Sequence, residues 1–117
     1  MSRLTTHVLD TAHGRPGQDV QLSLYRIVDN QRHILLSTKT NADGRCDAPL
    51  LEGEAFVAGV YELDFALGAY FAGLGLGLPQ PSFLDVVTVR FGVADAAKHY
   101  HVPLVASPWS YSTYRGS

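Results

Sequence analysis

Apolar and polar side chains alternate along short segments of this chain, and turn-forming residues separate one segment from the next. In VQLSLYRIVD the apolar Val20, Leu22 and Leu24 occupy every second position, and TTHVLD, GVYELDFAL, LDVVTVRFGV and HYHVPLVA show a similar pattern. Successive side chains of a β-strand point to opposite faces, so this pattern is typical of strands with one buried face. About seven or eight such segments, with at most one short helix in GAYFAGLGLGL, predict an all-β fold built as an antiparallel β-sandwich.

The length and charge of the chain limit its class. Its 117 residues predict a single domain over residues 1–117. The formal net charge is −2, with both signs mixed along the sequence. Proteins that bind nucleic acid usually carry a basic patch that neutralises phosphates, and this chain has no such stripe. We therefore do not expect nucleic acid as a partner.

Three features indicate a cytoplasmic protein. Cys46 is the single cysteine, which excludes an internal disulfide and fits a reducing compartment. The first residues, MSRLTTHVLD, lack the apolar core of a secretory signal. The longest stretch of low charge, residues 65–84, is interrupted by glycines and prolines, so we do not expect it to span a membrane.

Histidines lie in two of the predicted strands. His7 belongs to the first, and His99 and His101 share one face of a strand near the end of the chain. If the apolar neighbours face the core, all three histidines face outward. Three interpretations follow: they are solvated surface residues, they bind a divalent metal such as zinc, or they act as neutral general bases on a water molecule.

Two terminal motifs carry a resemblance to a known family. LTTHVLDTAHGRPGQDV and HYHVPLVASPWSYSTYRGS resemble the transthyretin-like family, and within it the 5-hydroxyisourate hydrolase branch. The terminal YRGS distinguishes this branch from transthyretin proper. TNADGR and YELDFALGAYF also look like family segments, so the resemblance covers essentially the whole chain.

The resemblance implies a fold, an assembly and a reaction. The fold is a transthyretin-like sandwich of two four-stranded sheets with one short helix. The assembly is a homotetramer, a dimer of dimers, with sites where the two dimers face each other. The reaction is hydrolysis of 5-hydroxyisourate in urate degradation, without a metal or cofactor. The alternative is a non-catalytic, transthyretin-like protein that binds a small molecule.

The resemblance also implies which residues form the site. The catalytic set falls on His7, Arg45 and His101. The same three residues are expected to bind the substrate together with the residues of the terminal motif, which are Tyr114, Arg115, Gly116 and Ser117.

Neighbouring residues receive other expectations. In the last predicted strand Ser112, Tyr114 and Gly116 share a face, which we expect to line the active-site channel. We expect Trp109 and Tyr111 to pack in the core, because aromatic side chains dominate sandwich cores. Cys46 is expected to be a bystander, since no step of the reaction needs a thiol.

Overall fold

The computed structural model describes residues 2–116, about half of which lie in strands of two facing sheets. The strands are β1 (Arg3–Asp10), β2 (Arg15–Pro16), β3 (Gln21–Val28), β4 (Gln31–Lys39), β5 (Leu51–Glu52), β6 (Gly59–Ala66), β7 (Val86–Val93), β8 (Tyr100–Ala106) and β9 (Tyr111–Thr113). One helix, α1 (Leu67–Ala72), follows β6, and a short 3-10 turn (Gly53–Ala55) follows β5. No helix within residues 2–116 has the length and apolar character needed to cross a membrane.

The two sheets confirm the predicted sandwich. One sheet has the order β4-β3-β6-β7, with antiparallel neighbours throughout. The other has the order β2-β1-β8-β9, and β5 pairs with the first two residues of β1. This second sheet therefore has five strands, because β2 and β5 are two-residue strands that each cover part of one edge of β1.

One strand pair departs from the antiparallel pattern. β1 and β8 run parallel, with Leu4 opposite Tyr100 and Asp10 opposite Ala106. No tight hairpin joins these two strands, since most of the chain lies between them, and a parallel arrangement is therefore possible. A buried hydrogen bond reinforces the pair: the Thr6 hydroxyl donates to the carbonyl of Val102 over 2.7 Å.

The core lies between the sheets and consists of the apolar residues that the alternation predicts. Leu4 and Val8 of β1 face Leu24 of β3 and Leu63 of β6, and all four are essentially inaccessible to solvent. Burying one such side chain stabilises the fold by about 1.5–3 kcal/mol. The outward faces of β1 and β8 are half-exposed, which leaves their polar side chains available at the surface.

The end of β1 is tied to α1 by a buried carboxylate. The Asp10 side chain is fully buried and accepts hydrogen bonds from the Tyr70 hydroxyl and from Nδ1 of His13, each over 2.7 Å. Burial by itself raises the pKa of Asp10, but these hydrogen bonds outweigh it and hold the pKa below its ordinary value. Burial and the Asp10 carboxylate raise the pKa of Tyr70 to about 12, so its hydroxyl stays protonated and donates.

The prediction that Trp109 and Tyr111 pack in the core is wrong. Trp109 is 56% exposed and Tyr111 is 44% exposed. The turn between β8 and β9 carries Trp109 away from the space between the sheets. Its ring lies 6.4 Å from that of Phe83, which is even more exposed. These aromatic side chains form part of the outer surface of a single chain.

Removing the Tyr70 hydroxyl should weaken the link between β1 and α1. We expect Tyr70→Phe to lower the free energy of unfolding by about 1–2 kcal/mol at pH 7, because a buried carboxylate loses a donor. The stability that comes from a lowered carboxyl pKa is complete above the ordinary value near ~4 and is lost as the pH falls through the folded-state value. The loss of unfolding free energy in Tyr70→Phe should therefore shrink at a pH low enough to protonate Asp10. Urea denaturation at pH 7 and at that acid pH measures the difference. Tyr25→Phe is the matched control, since the Tyr25 hydroxyl makes no hydrogen bond within residues 2–116; an equal loss in both variants would contradict the assignment.

Candidate active site

His7 and His101 lie side by side on the outward face of the second sheet, as predicted. Their ring centroids are 6.3 Å apart, and the ring planes are inclined by 42°. The parallel register brings them together, because it places Thr5 opposite His101 and His7 opposite Pro103. His99 precedes the first residue of β8 and is exposed. The structure thus brings two of the three outward histidines into direct proximity.

A backbone carbonyl fixes the tautomer of His7. Nε2 of His7 lies 2.9 Å from the carbonyl oxygen of Asp43. A carbonyl oxygen only accepts, so Nε2 carries the proton and donates it. In the neutral ring, Nδ1 therefore keeps the lone pair and is the nitrogen that can accept a proton.

The loop that supplies this carbonyl is held in a tight turn. The Asn41 side chain accepts hydrogen bonds from the backbone amides of Asp43, over 2.9 Å, and of Arg45, over 3.2 Å. Gly44 has a φ of +76°, and a Cβ at this position would collide with the carbonyl oxygen of Val8. Only glycine meets both demands. The turn therefore closes against β1 and pairs Arg45 with His7 through an isolated antiparallel bridge.

His101 is held by two neighbours. The Thr5 hydroxyl lies 2.8 Å from Nδ1 of His101, so Nε2 is the ring nitrogen left without a partner within residues 2–116. On the other side, the backbone amide of Gly116 donates to the carbonyl of His101 over 2.7 Å. A Cβ on Gly116 would lie only 2.9 Å from Cδ2 of His101, so the tail approaches the ring this closely only because residue 116 is glycine.

An open cleft of about 510 Å³ lies beside this pair. Its lining comprises Arg3, Thr5, Thr6, Arg45, Cys46, Asp47, Ala48, Pro49, His99 and His101. Burial raises the pKa of the Cys46 thiol, and the Asp47 carboxylate raises it further, so the thiol stays protonated. A protonated thiol is a weak nucleophile, which agrees with the expected bystander role.

Both histidines are biased toward the neutral form. Partial burial lowers the pKa of His7, and the nearby Arg45 guanidinium lowers it further, despite the opposing hydrogen bond to Asp43. The pKa of His101 is lowered by partial burial, by Arg45 and by His7. A neutral imidazole keeps a lone pair and accepts a proton, so the pair is suited to general base chemistry near neutral pH.

The metal alternative needs several donor side chains around one point. Among residues 2–116 no group of three or more histidine, cysteine, aspartate or glutamate side chains is arranged to hold a metal ion.

The residues of the terminal motif occupy different surroundings. Tyr114 and Arg115 follow the end of β9 and line a separate cavity of about 210 Å³ beside β7. The Arg115 guanidinium lies 4.1 Å from the centroid of the Tyr100 ring, on the side of β8 opposite His101, and donates to the carbonyl of His99 over 3.1 Å. Gly116 forms an isolated antiparallel bridge with His101, and Ser117 lies outside the described residues.

Two residues that position the histidines did not emerge as site residues from the sequence. Thr5 contacts His101 directly. Its place two residues before His7, on the same face of β1, is the sequence signal that would have identified it. Asn41 holds the turn of Arg45, and its position before Asp43-Gly44 is typical of a turn stabilised by an asparagine side chain. The family motifs alone do not single out either residue.

Loss of the Arg45 charge should raise the pKa of both histidines. In Arg45→Gln the cation that disfavours imidazolium is removed, so His7 and His101 should gain protons at higher pH than in the wild type. NMR titration of the histidine ring carbon shifts measures this change. Lys39→Gln removes the same charge far from the cleft and should leave both midpoints in place. Unchanged midpoints in Arg45→Gln would contradict the electrostatic coupling.

Loss of the Thr5 hydroxyl should release the His101 ring. In Thr5→Val the shape of the side chain is kept but Nδ1 loses its partner, so the nitrogen-15 shifts of the two ring nitrogens should move toward an averaged tautomer mixture. Thr5→Ser retains the hydroxyl and should keep the wild-type shifts. Because the contact is only partly buried, the free energy of unfolding should fall by no more than about 1 kcal/mol. Identical ring shifts in Thr5→Val and the wild type would show that Thr5 does not set the tautomer.

Comparison with known proteins agrees with the resemblance. The model of the HIUase/Transthyretin family, in which HIUase denotes 5-hydroxyisourate hydrolase, matches residues 4–116. A 5-hydroxyisourate hydrolase of Ralstonia nicotianae is 67% identical over 117 residues, and the alignment covers 100% of both chains.

Solved structures share the fold. (S)-Allantoin synthase superimposes with a TM-score of 0.93 at 43% identity, over 99% of this chain and 44% of that one, so this chain spans less than half of that protein. Sea bream transthyretin in complex with thyroxine superimposes with a TM-score of 0.86 at 28% identity, over 97% and 94% of the two chains. With the family model matched over nearly every residue, the chain belongs to the HIUase/Transthyretin family.

Proposed function

We propose that this chain hydrolyses 5-hydroxyisourate to 2-oxo-4-hydroxy-4-carboxy-5-ureidoimidazoline, a cyclic amide ring opening on the route from urate to allantoin. The observation that carries the proposal is the pair of adjacent histidines with lowered pKa near Arg45, of which His101 lines one cleft together with Arg45. The family relationship supports the substrate, since the Ralstonia relative is named as a hydrolase of this compound.

The ring opening requires three tasks of the protein. Water must lose a proton as its oxygen bonds to the ring carbonyl carbon, the resulting oxyanion must be held, and the ring nitrogen must gain a proton as the carbon–nitrogen bond breaks. Nδ1 of His7 and Nε2 of His101 are the two ring nitrogens free for proton transfer. These two groups share the proton transfers. Overall, one water molecule and one amide bond are converted into a carboxylic acid and an N–H group.

Arg45 supplies the fixed positive charge. Its planar guanidinium donates to two oxygens at once, which suits both the carbonyl groups of a urate-like ring and the oxyanion. Within residues 2–116 its side chain makes no ion pair, so the donors are available to a ligand. We assign His7, Arg45 and His101 as the catalytic residues and as substrate ligands.

The terminal motif has a supporting role in the proposal. Gly116 holds the backbone of His101, and Arg115 anchors the tail on Tyr100. Ser117 follows Gly116 directly in the sequence, and we include it among the proposed substrate ligands. Tyr114, 59% exposed in a single chain, is proposed to narrow the channel in the assembled protein.

The assembly in this proposal is a homotetramer, a dimer of dimers with the clefts at the dimer–dimer interface. The exposed aromatic side chains of Phe83, Trp109 and Tyr114 support association, because large apolar groups seldom cluster on the surface of a monomer. β7 and β9 are each the last strand of their sheet and present unpaired backbone groups, which favour pairing with another chain. The proposed location is the cytoplasm, where the single Cys46 stays reduced.

The alternative function is binding of a small molecule without catalysis. The likeness to sea bream transthyretin in complex with thyroxine favours it. The histidine pair with Arg45 argues for the enzyme, since a carrier has no need of two neutral bases beside a cation.

The decay of freshly generated 5-hydroxyisourate, followed by ultraviolet absorbance, tests the proposal. Purified wild-type protein should accelerate the decay well above the spontaneous rate. His7→Ala, Arg45→Ala and His101→Ala should each lower kcat/KM by about 100-fold or more, because each removes a proton-transfer group or the fixed cation.

His33→Ala is the matched control, because His33 is exposed on β4, in the other sheet. It should keep the wild-type rate, and circular dichroism should show all four variants folded. A wild-type protein that leaves the decay at its spontaneous rate would favour the binding alternative. Near-normal turnover in one of the three site variants would remove that residue from the catalytic set.

A further inference from the structure

Arg3 places a second arginine in the cleft. It lies on the outward face of β1 with Thr5 and His7, because the three residues are two positions apart. The parallel register aligns the start of β1 with the start of β8, and both Arg3 and His99 line the cleft there. The cleft therefore includes His101 and Arg45 together with a second cation, Arg3.

The arginines of this chain divide into two groups. Five of them have a protein partner for the guanidinium: Arg15 with the Tyr70 hydroxyl, Arg26 with the carbonyl of Ala58, Arg32 and Arg90 with Glu62, and Arg115 with the carbonyl of His99. The other two are Arg3 and Arg45, and the structure shows no hydrogen bond or ion pair of either side chain within residues 2–116.

Both unpaired guanidinium groups line the same cleft. A concave surface with two arginines that lack protein partners is suited to an anionic ligand, because a guanidinium binds a carboxylate through two parallel hydrogen bonds. Asp47 also lines the cleft, but its carboxylate accepts a hydrogen bond from the Asn41 amide over 2.9 Å and belongs to the Arg45 turn. Among the described residues, Asp47 is the only acidic one that lines the cleft.

The proposed reaction creates a carboxyl group that the substrate lacks. Water adds to a ring carbonyl, the carbon–nitrogen bond breaks, and the carbonyl carbon becomes that of a carboxylic acid. Such an acid has a pKa near ~4 and is a carboxylate at neutral pH. Arg45 is assigned to the oxyanion, which becomes one oxygen of the new carboxylate, and Arg3 lines the same cleft as a second cation for the full carboxylate charge.

We propose that Arg3 binds the carboxylate that ring opening creates, which makes the outer end of the cleft a subsite for small ureide rings that carry a carboxylate. The inference rests on the proposed function for the source of the carboxylate. The anion-binding property itself rests on the two unpaired arginines and the cleft that they share.

A matched pair of stable probes tests the subsite. Orotate and uracil share a pyrimidinedione ring and differ by one carboxylate. NMR titration of the nitrogen-15-labelled full-length protein at low ionic strength, where an exposed charge pair is least screened, gives the affinity for each probe. Wild-type protein should bind orotate more tightly than uracil, and Arg3→Gln should weaken orotate binding by about tenfold while leaving uracil unchanged.

Lys39→Gln is the control, since it removes one positive charge from an exposed position away from the cleft and should alter neither affinity. Equal affinity of the wild type for the two probes, or an orotate preference that survives in Arg3→Gln, would overturn the proposal. The binding result is independent of turnover. An Arg3-dependent orotate preference in a protein that does not hydrolyse 5-hydroxyisourate would refute the proposed function but support the anion subsite. An active protein without that preference would support the function and refute the subsite.

Discussion

The parallel pairing of β1 with β8 is the interaction on which the rest of the site depends. It places Thr5 opposite His101 and brings the His7 ring to 6.3 Å from the His101 ring, while the alternate residues of both strands enter the core. Because side chains alternate along a strand, a slip of one residue in either strand would move its histidine into the core and an apolar residue to the surface. The same burial that stabilises the sandwich therefore also fixes the position of the histidine pair.

Backbone contacts at two glycines then bring the remaining groups to that pair. Gly44 lets the turn after Asn41 close against Val8, which puts the carbonyl of Asp43 on Nε2 of His7. Gly116 lets the tail lie against the His101 ring. Each histidine is consequently held on one ring nitrogen, and the other has no hydrogen-bond partner within residues 2–116. His7 presents Nδ1 and His101 presents Nε2, so two chemically similar side chains offer different atoms to a substrate.

The sequence predicted the features that follow from local patterns. Alternation correctly placed Val8 and Val102 in the core and His7 and His101 outside, and the family motif pointed to Arg45. It did not predict that β1 and β8 run parallel, because strand direction depends on how distant segments assemble. Aromatic character misled at Trp109, because a position in a turn outweighs the tendency of a large ring to be buried.

The arrangement also explains why the fixed charge is an arginine. Partial burial and, after it, the Arg45 charge lower the pKa of both His7 and His101, so Arg45 favours the neutral form of its neighbours. A lysine in the same position would itself be able to lose a proton when partly desolvated, and it would then act as a competing base beside the histidines. A guanidinium stays charged throughout, so the roles separate cleanly. In the proposed reaction the cation holds developing negative charge, and the imidazoles keep the lone pairs that move protons. Proton acceptors and a permanent positive charge can therefore share one cleft only because their intrinsic pKa values are far apart.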